Sequence, residues 1–180
     1  MMKKENKLKR KIKWCLNQKS GIKLEEPNEN LKKEYLKKAK SSLNMLNSAL
    51  EKNEIDWIVT TAYYSRYFSL YALLQKHGIK SEIHDCSINL FKFLFIDQKL
   101  IDEKYFKEIK ESKDLRVDFQ YYVVSETNEK EIKKHSKKAR EFVLEIEKFI
   151  ENLKKKDVEN IRDKLDKVIK EMEKEKKDKS

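Results

Sequence analysis

Two glycines and one proline in 180 residues leave almost nothing to punctuate a many-stranded sheet. The scarcity points to long helices and excludes a glycine-rich phosphate loop. Apolar runs are equally scarce. The longest, Ile88 to Ile96, is interrupted by Asn89 and Lys92 and is too short to cross a bilayer. No apolar run follows the basic start, so no secretory signal is expected and the reading is cytoplasmic, without a membrane partner. The two cysteines, Cys15 and Cys86, are too few for a disulfide framework and have no zinc-ligand spacing. The three histidines, His77, His84 and His135, lie far apart and read as surface or packing residues. Neither a metal nor a cofactor is expected, and nothing marks a nucleophile.

What is present is charge. Charged residues make up 42% of the chain and hydrophobic ones 38%. A core then requires the apolar residues to fall at helical spacing with the charge coating them, and they do. The excess of positive charge is concentrated at the start. Lys3, Lys4, Lys7, Lys9, Arg10, Lys11, Lys13, Lys19 and Lys23 face Glu5 alone over residues 1–24. Such a segment suits phosphate backbones or an acidic partner, or serves as a solubilising tail.

The periodicity predicts an all-α protein: an up-and-down bundle of four to five core helices with an extra charged C-terminal helix. Residues 1–27 read as a basic arm ending at Pro27, tacked to the body by Trp14, Cys15 and Leu16; residues 28–153 form the bundle, and 154–180 the charged helix. A first helix over Asn30–Lys52 has Leu31, Tyr35, Ala39, Leu43, Leu46 and Leu50 on one face. A second over Glu54–His77 ends at Gly78, placed as a left-handed stop. A third over Asp85–Asp97 is apolar on most sides and should be the most buried. A short helix is expected over Glu103–Glu111, then an irregular stretch from Ser112, then a helix from about Asn128. Val158, Ile161, Leu165, Val168 and Met172 form a narrow seam that must pack on the bundle or on a second chain, with Asp157 as its cap and Glu173 to Ser180 frayed.

Two stretches carry candidate chemistry. Tyr63, Tyr67 and Tyr71 share one side of a helix, with Tyr64 and Arg66 beside them. That row suits a helix–helix seam, which composition favours, or base stacking. The second stretch is Leu115-Arg-Val-Asp-Phe-Gln-Tyr-Tyr, where Arg116 offers a fork for phosphate or carboxylate, or pairs with Asp118 or another acid.

The Ala62-Tyr63-Tyr64-Ser65-Arg66-Tyr67 run, Leu73-Leu74 before Gly78, His84 opening the next helix, and Arg116 with Tyr121 ahead of Ala139 and Phe142 together resemble a HEPN (higher eukaryote and prokaryote nucleotide-binding) domain. The resemblance covers about Leu31 to Leu153. It implies a helical bundle that forms a homodimer, and for many prokaryotic members a minimal nucleotidyltransferase partner in a toxin–antitoxin-like pair. Some members are metal-independent RNases whose Arg is followed by His after four to six residues. Here four residues intervene between Arg116 and Tyr121. A phenol titrating near 10 is a poor base at neutral pH. The resemblance therefore implies a binding module without catalytic residues, contacting RNA or a nucleotide through Arg116, Tyr121, Arg66, Tyr63, Tyr64 and Asp118. Two alternatives stand beside it. One is an endoribonuclease using Arg116 and Tyr121, with His84 near enough to act as base. The other is a purely structural interaction protein.

Overall fold

The computed structural model describes residues 2–122 and 128–178, and its element order is helical almost throughout. Helix α1 (Met2–Leu16) is followed by a two-residue strand β1 (Lys23–Leu24). Helices α2 (Glu29–Lys52) and α3 (Ile55–Lys76) then form an antiparallel pair. Strand β2 (Ile79–Lys80) pairs with β1, Leu24 opposite Ile79. Helix α4 (His84–Phe91) runs into a π turn (Lys92–Ile96). Helices α5 (Glu103–Tyr121), α6 (Glu129–Lys137), α7 (Ala139–Asn152) and α8 (Lys155–Lys177) complete the chain.

The helix ends follow local chemistry. Asn28 caps α2, its side chain accepting from the Leu31 amide at 2.9 Å, directly after Pro27. Asp102 and Asn128 do the same for α5 and α6. Gly78 has φ +64°, the left-handed conformation expected of a helix stop, and an added Cβ would meet Glu25 O at 2.2 Å. Asp157 is one turn inside α8 rather than ahead of it: its carboxylate accepts from the Lys154 amide at 2.9 Å.

Helix α3 is the axis of the fold. It is buried on nearly all sides, among α2, α5, α6 and α7. It shares the deepest position with the α4–π segment, where Leu90, Phe91, Leu94 and Phe95 are fully buried. A second, smaller core lies between α2, α3 and α7 around Ala39, Leu46, Ile58, Ala62 and Val143.

Several expectations are corrected. The basic arm contains helix α1, whose Leu8, Ile12 and Cys15, with Ile22 beyond it, are buried in the fold. Cys15 and Cys86 meet as a disulfide across 71 residues of sequence, joining α1 to α4. Trp14, by contrast, is exposed. The short fourth helix is a long one reaching Tyr121, which keeps Arg116 on regular helix; residues 123–127 of the expected irregular stretch lie outside the described residues. The seam on α8 packs on its own chain through Ile161, Leu165 and Val168, and α8 stays helical to Lys177.

Candidate functional site

Helix α3 brings Tyr63, Tyr64 and Tyr67 against α5 and the start of α4, with Tyr63 and Tyr67 buried and Tyr64 half-buried. Tyr63 and Tyr67 are one turn apart and share a face. His84, the first residue of α4, lies flat on Tyr67, with ring centroids 3.9 Å apart and planes 22° apart. Its Nδ1 is 2.6 Å from the Tyr63 hydroxyl oxygen. From α5, Arg116 donates through Nη2 to the Tyr64 hydroxyl at 3.2 Å. Its guanidinium carbon sits 6.0, 5.7 and 5.7 Å from the ring centres of Tyr63, Tyr64 and Tyr121. Cation–π attraction thus holds the fork among three aromatic faces. The Arg116 Nε is buried without a partner. Among the described residues Arg116 makes no ion pair.

Protonation in this cluster follows from burial. Tyr63 is pushed well above the ordinary phenol value, chiefly by desolvation and then by neighbouring Tyr67. It therefore keeps its proton. The His84 imidazole is pushed down by burial first and then by the charges of Arg116 and Lys113, with Asp85 opposing. It is neutral at physiological pH. The one hydrogen-bond partner of the Tyr63 hydroxyl among the described residues is His84 Nδ1. A buried O–H seeks an acceptor, so Tyr63 donates to Nδ1 and the His84 proton sits on Nε2. The surface then offers N–H donors from Arg116 and His84 beside the exposed ring of Tyr121, which is 65% exposed. Donors for an oxyanion next to a stacking face match the two halves of a nucleotide.

Not every expected residue joins this cluster. Arg66 has no exposed surface. It donates to Ala62 O, Ser112 Oγ and His135 O at 3.3, 3.2 and 2.8 Å, so it ties α3 to α5 and α6 and cannot reach a ligand at the surface. Burial lowers its pKa to about 10, which still leaves it charged at neutral pH. Asp118 lies on another face of α5, since two residues along a helix turn the side chain by about 200°. It lines a cleft of about 470 Å³ with Glu111, Phe119, His135 and Lys138. The expected pairing of Arg116 with Asp118 is therefore absent. His84 is a full member of the cluster. Tyr67 and Lys113 also belong to its surroundings: Lys113, one turn before Arg116, pairs with Asp85 beside His84. Helical spacing from Tyr63 and from Arg116 was the signal for both.

The described residues hold no group of three or more His, Cys, Asp or Glu side chains able to bind a metal ion. Among them no helix is long and apolar enough to cross a membrane. The family model for the HEPN domain matches residues 33–150, which includes every residue of the tyrosine–histidine–arginine cluster. No curated protein matches the chain.

Proposed function

The chain belongs to the HEPN domain family, a nucleotide- or RNA-related module, and from that premise we propose that this member binds RNA or a nucleotide without cutting it. The observation that carries the reading is the convergence of Arg116 and His84 on Tyr63, beside exposed Tyr121. A phosphate accepts from the Arg116 fork and from His84 Nε2–H, and a base stacks on Tyr121. The module works as a homodimer beside a minimal nucleotidyltransferase in a toxin–antitoxin-like pair, as the resemblance of the motifs implies. Fluorescence titration with short RNAs tests the site: Arg116→Ala lowers affinity at least tenfold while the fold is kept. Recovery of neither nucleic acid nor a nucleotidyltransferase with the protein from its native host would count against the partner.

A second reading draws on the same convergence. If the proton moves so that Nδ1–H donates to the Tyr63 oxygen, His84 Nε2 becomes a free base beside a phosphate-holding arginine. The protein is then a metal-independent endoribonuclease. It would cut RNA in the presence of a chelator, and His84→Ala would abolish cutting. Intact RNA after prolonged incubation eliminates this reading.

A further inference from the structure

Helix α1 lies outside the residues matched by the family model, so family membership assigns it nothing. Its faces are sharply divided. Leu8, Ile12 and Cys15 point inward and are buried, and Cys15 is bonded to Cys86 of α4. On the flank, Lys9 and Lys13 pair with Glu171 and Glu175 of α8. The remaining face carries Lys7, Arg10, Lys11 and Trp14 at spacings of three, one and three residues. All four are exposed, Trp14 by 55%. None of the three cations forms an ion pair among the described residues.

We infer that this outer stripe of α1 is a binding surface for single-stranded nucleic acid, with Lys7, Arg10 and Lys11 on the phosphates and Trp14 stacked on a base. The inference rests on the reading of the protein as a nucleic-acid-associated module and adds to it a contact surface outside the tyrosine cluster. Charge selects the occupant. Three cations within about one turn of helix, roughly 6 Å, none in an ion pair among the described residues, present a run of positive charge to solvent. Trp14 supplies the aromatic face that sequence-tolerant single-strand binders use. A basic amphipathic helix also suits an anionic membrane, but such a helix inserts its apolar face. Here that face is committed to the core and latched by the disulfide, and Trp14 is the sole apolar residue left outside on the stripe.

The test uses the full chain with Trp57→Phe, which leaves Trp14 as the only tryptophan, since the sequence has two. A twelve-nucleotide oligouridine is titrated at several salt concentrations, and vesicles of phosphatidylserine and phosphatidylcholine are titrated in parallel. The expected result is quenching of Trp14 by the RNA. The combined change Lys7→Gln, Arg10→Gln and Lys11→Gln then weakens binding at least tenfold at low salt and reduces the log–log salt slope by about 2. These side chains face solvent, so the fold is retained, and circular dichroism verifies it. Absence of quenching, or affinity within twofold after the triple change, overturns the inference; so does tighter binding to vesicles than to RNA. Arg116→Ala in the same background separates the two surfaces. Trp14 quenching that survives Arg116→Ala supports α1 as a surface of its own, even where the tyrosine cluster binds nothing. Affinity that falls with Arg116→Ala but ignores the triple change keeps the cluster and removes α1.

Discussion

Two arginine–histidine pairs flank α5, and they differ in everything except residue type. Arg116 and His84 meet through tyrosines beside the surface, and among the described residues Arg116 makes a single hydrogen bond, to the Tyr64 hydroxyl. Arg66 and His135 meet inside. There the guanidinium is spent on two backbone carbonyls and Ser112, and His135 supplies one of those carbonyls rather than its ring. The same chemistry thus yields an open fork on one side of the helix and a structural tie on the other. What separates them is access. A guanidinium without solvent can donate only within the protein: Arg66 Nη1 and Nη2 do so, its Nε stays buried without a partner among the described residues, and no N–H is left facing a ligand.

The largest expected effect falls on the surface pair, through the covalent link beside it. Cys86 lies on α4 two residues after His84, and its disulfide to Cys15 closes a loop across 71 residues. Chain-entropy arguments assign such a link about 4 kcal/mol. Cys15→Ser is expected to lower the unfolding free energy by about that much in urea titrations, matching reduction of the unaltered protein with dithiothreitol. A change below about 1 kcal/mol would mean the link contributes little to the folded state.

Breaking the buried pair comes next. Arg66→Met removes three hydrogen bonds and leaves Glu108, whose half-buried carboxylate leans on the Arg66 charge, without that cation. The expected loss is about 3 kcal/mol, read by thermal or urea unfolding. RNA affinity of the folded fraction should be unchanged, which is the contrast with Arg116→Ala.

Acid sharpens the comparison further. His135 is held down to about 4 by burial, then by Arg66 and Lys138, and His77 is held down to about 4 chiefly by burial. The Glu111 carboxylate oxygen stands 3.5 Å from His135 Nδ1, but that carboxylate is largely exposed and screened by solvent, so it does not offset the burial. The folded state therefore binds fewer protons than the unfolded chain below the ordinary histidine value of about 6.5. The stabilisation is complete above that pH and is lost as pH falls towards 4. Fully buried His77 should contribute about 3 kcal/mol to the decline, and the less buried His135 about 2 kcal/mol. His135→Gln should flatten the stability profile over this window, whereas His84→Gln should flatten it less.

Tyr64→Phe is the smallest change. It removes only the hydroxyl that receives Arg116 Nη2. Stability should stay within about 1 kcal/mol, and RNA affinity should fall a few-fold, because the fork keeps its aromatic platform but loses its anchor. Equal affinity in a titration against RNA would show that the rings alone position Arg116.

Much of this molecule is legible in the order of its residues. Helices α2 and α3 begin and end within about two residues of the ends that periodicity and capping residues suggest, and Gly78 takes its left-handed place. Pattern fails at α5. Its outer turns are too polar to signal a helix, yet packing against α3 carries the helix to Tyr121. The tyrosine row is the helix–helix seam that composition favours: Tyr63, Tyr67 and Tyr71 are buried, while Tyr64 and Tyr121 keep faces near Arg116.

The sequence by itself determined α2 and α3, their ends and their buried faces, because those depend on residues three or four positions apart. Tertiary structure decided the rest. It joined Cys15 to Cys86, seated α8 on its own bundle, and set His84 against the tyrosines that hold Arg116. It also sealed Arg66 inside. Each of these depends on which distant surface covers a side chain, and burial by a neighbouring helix leaves no mark in the local spacing of the residue it covers.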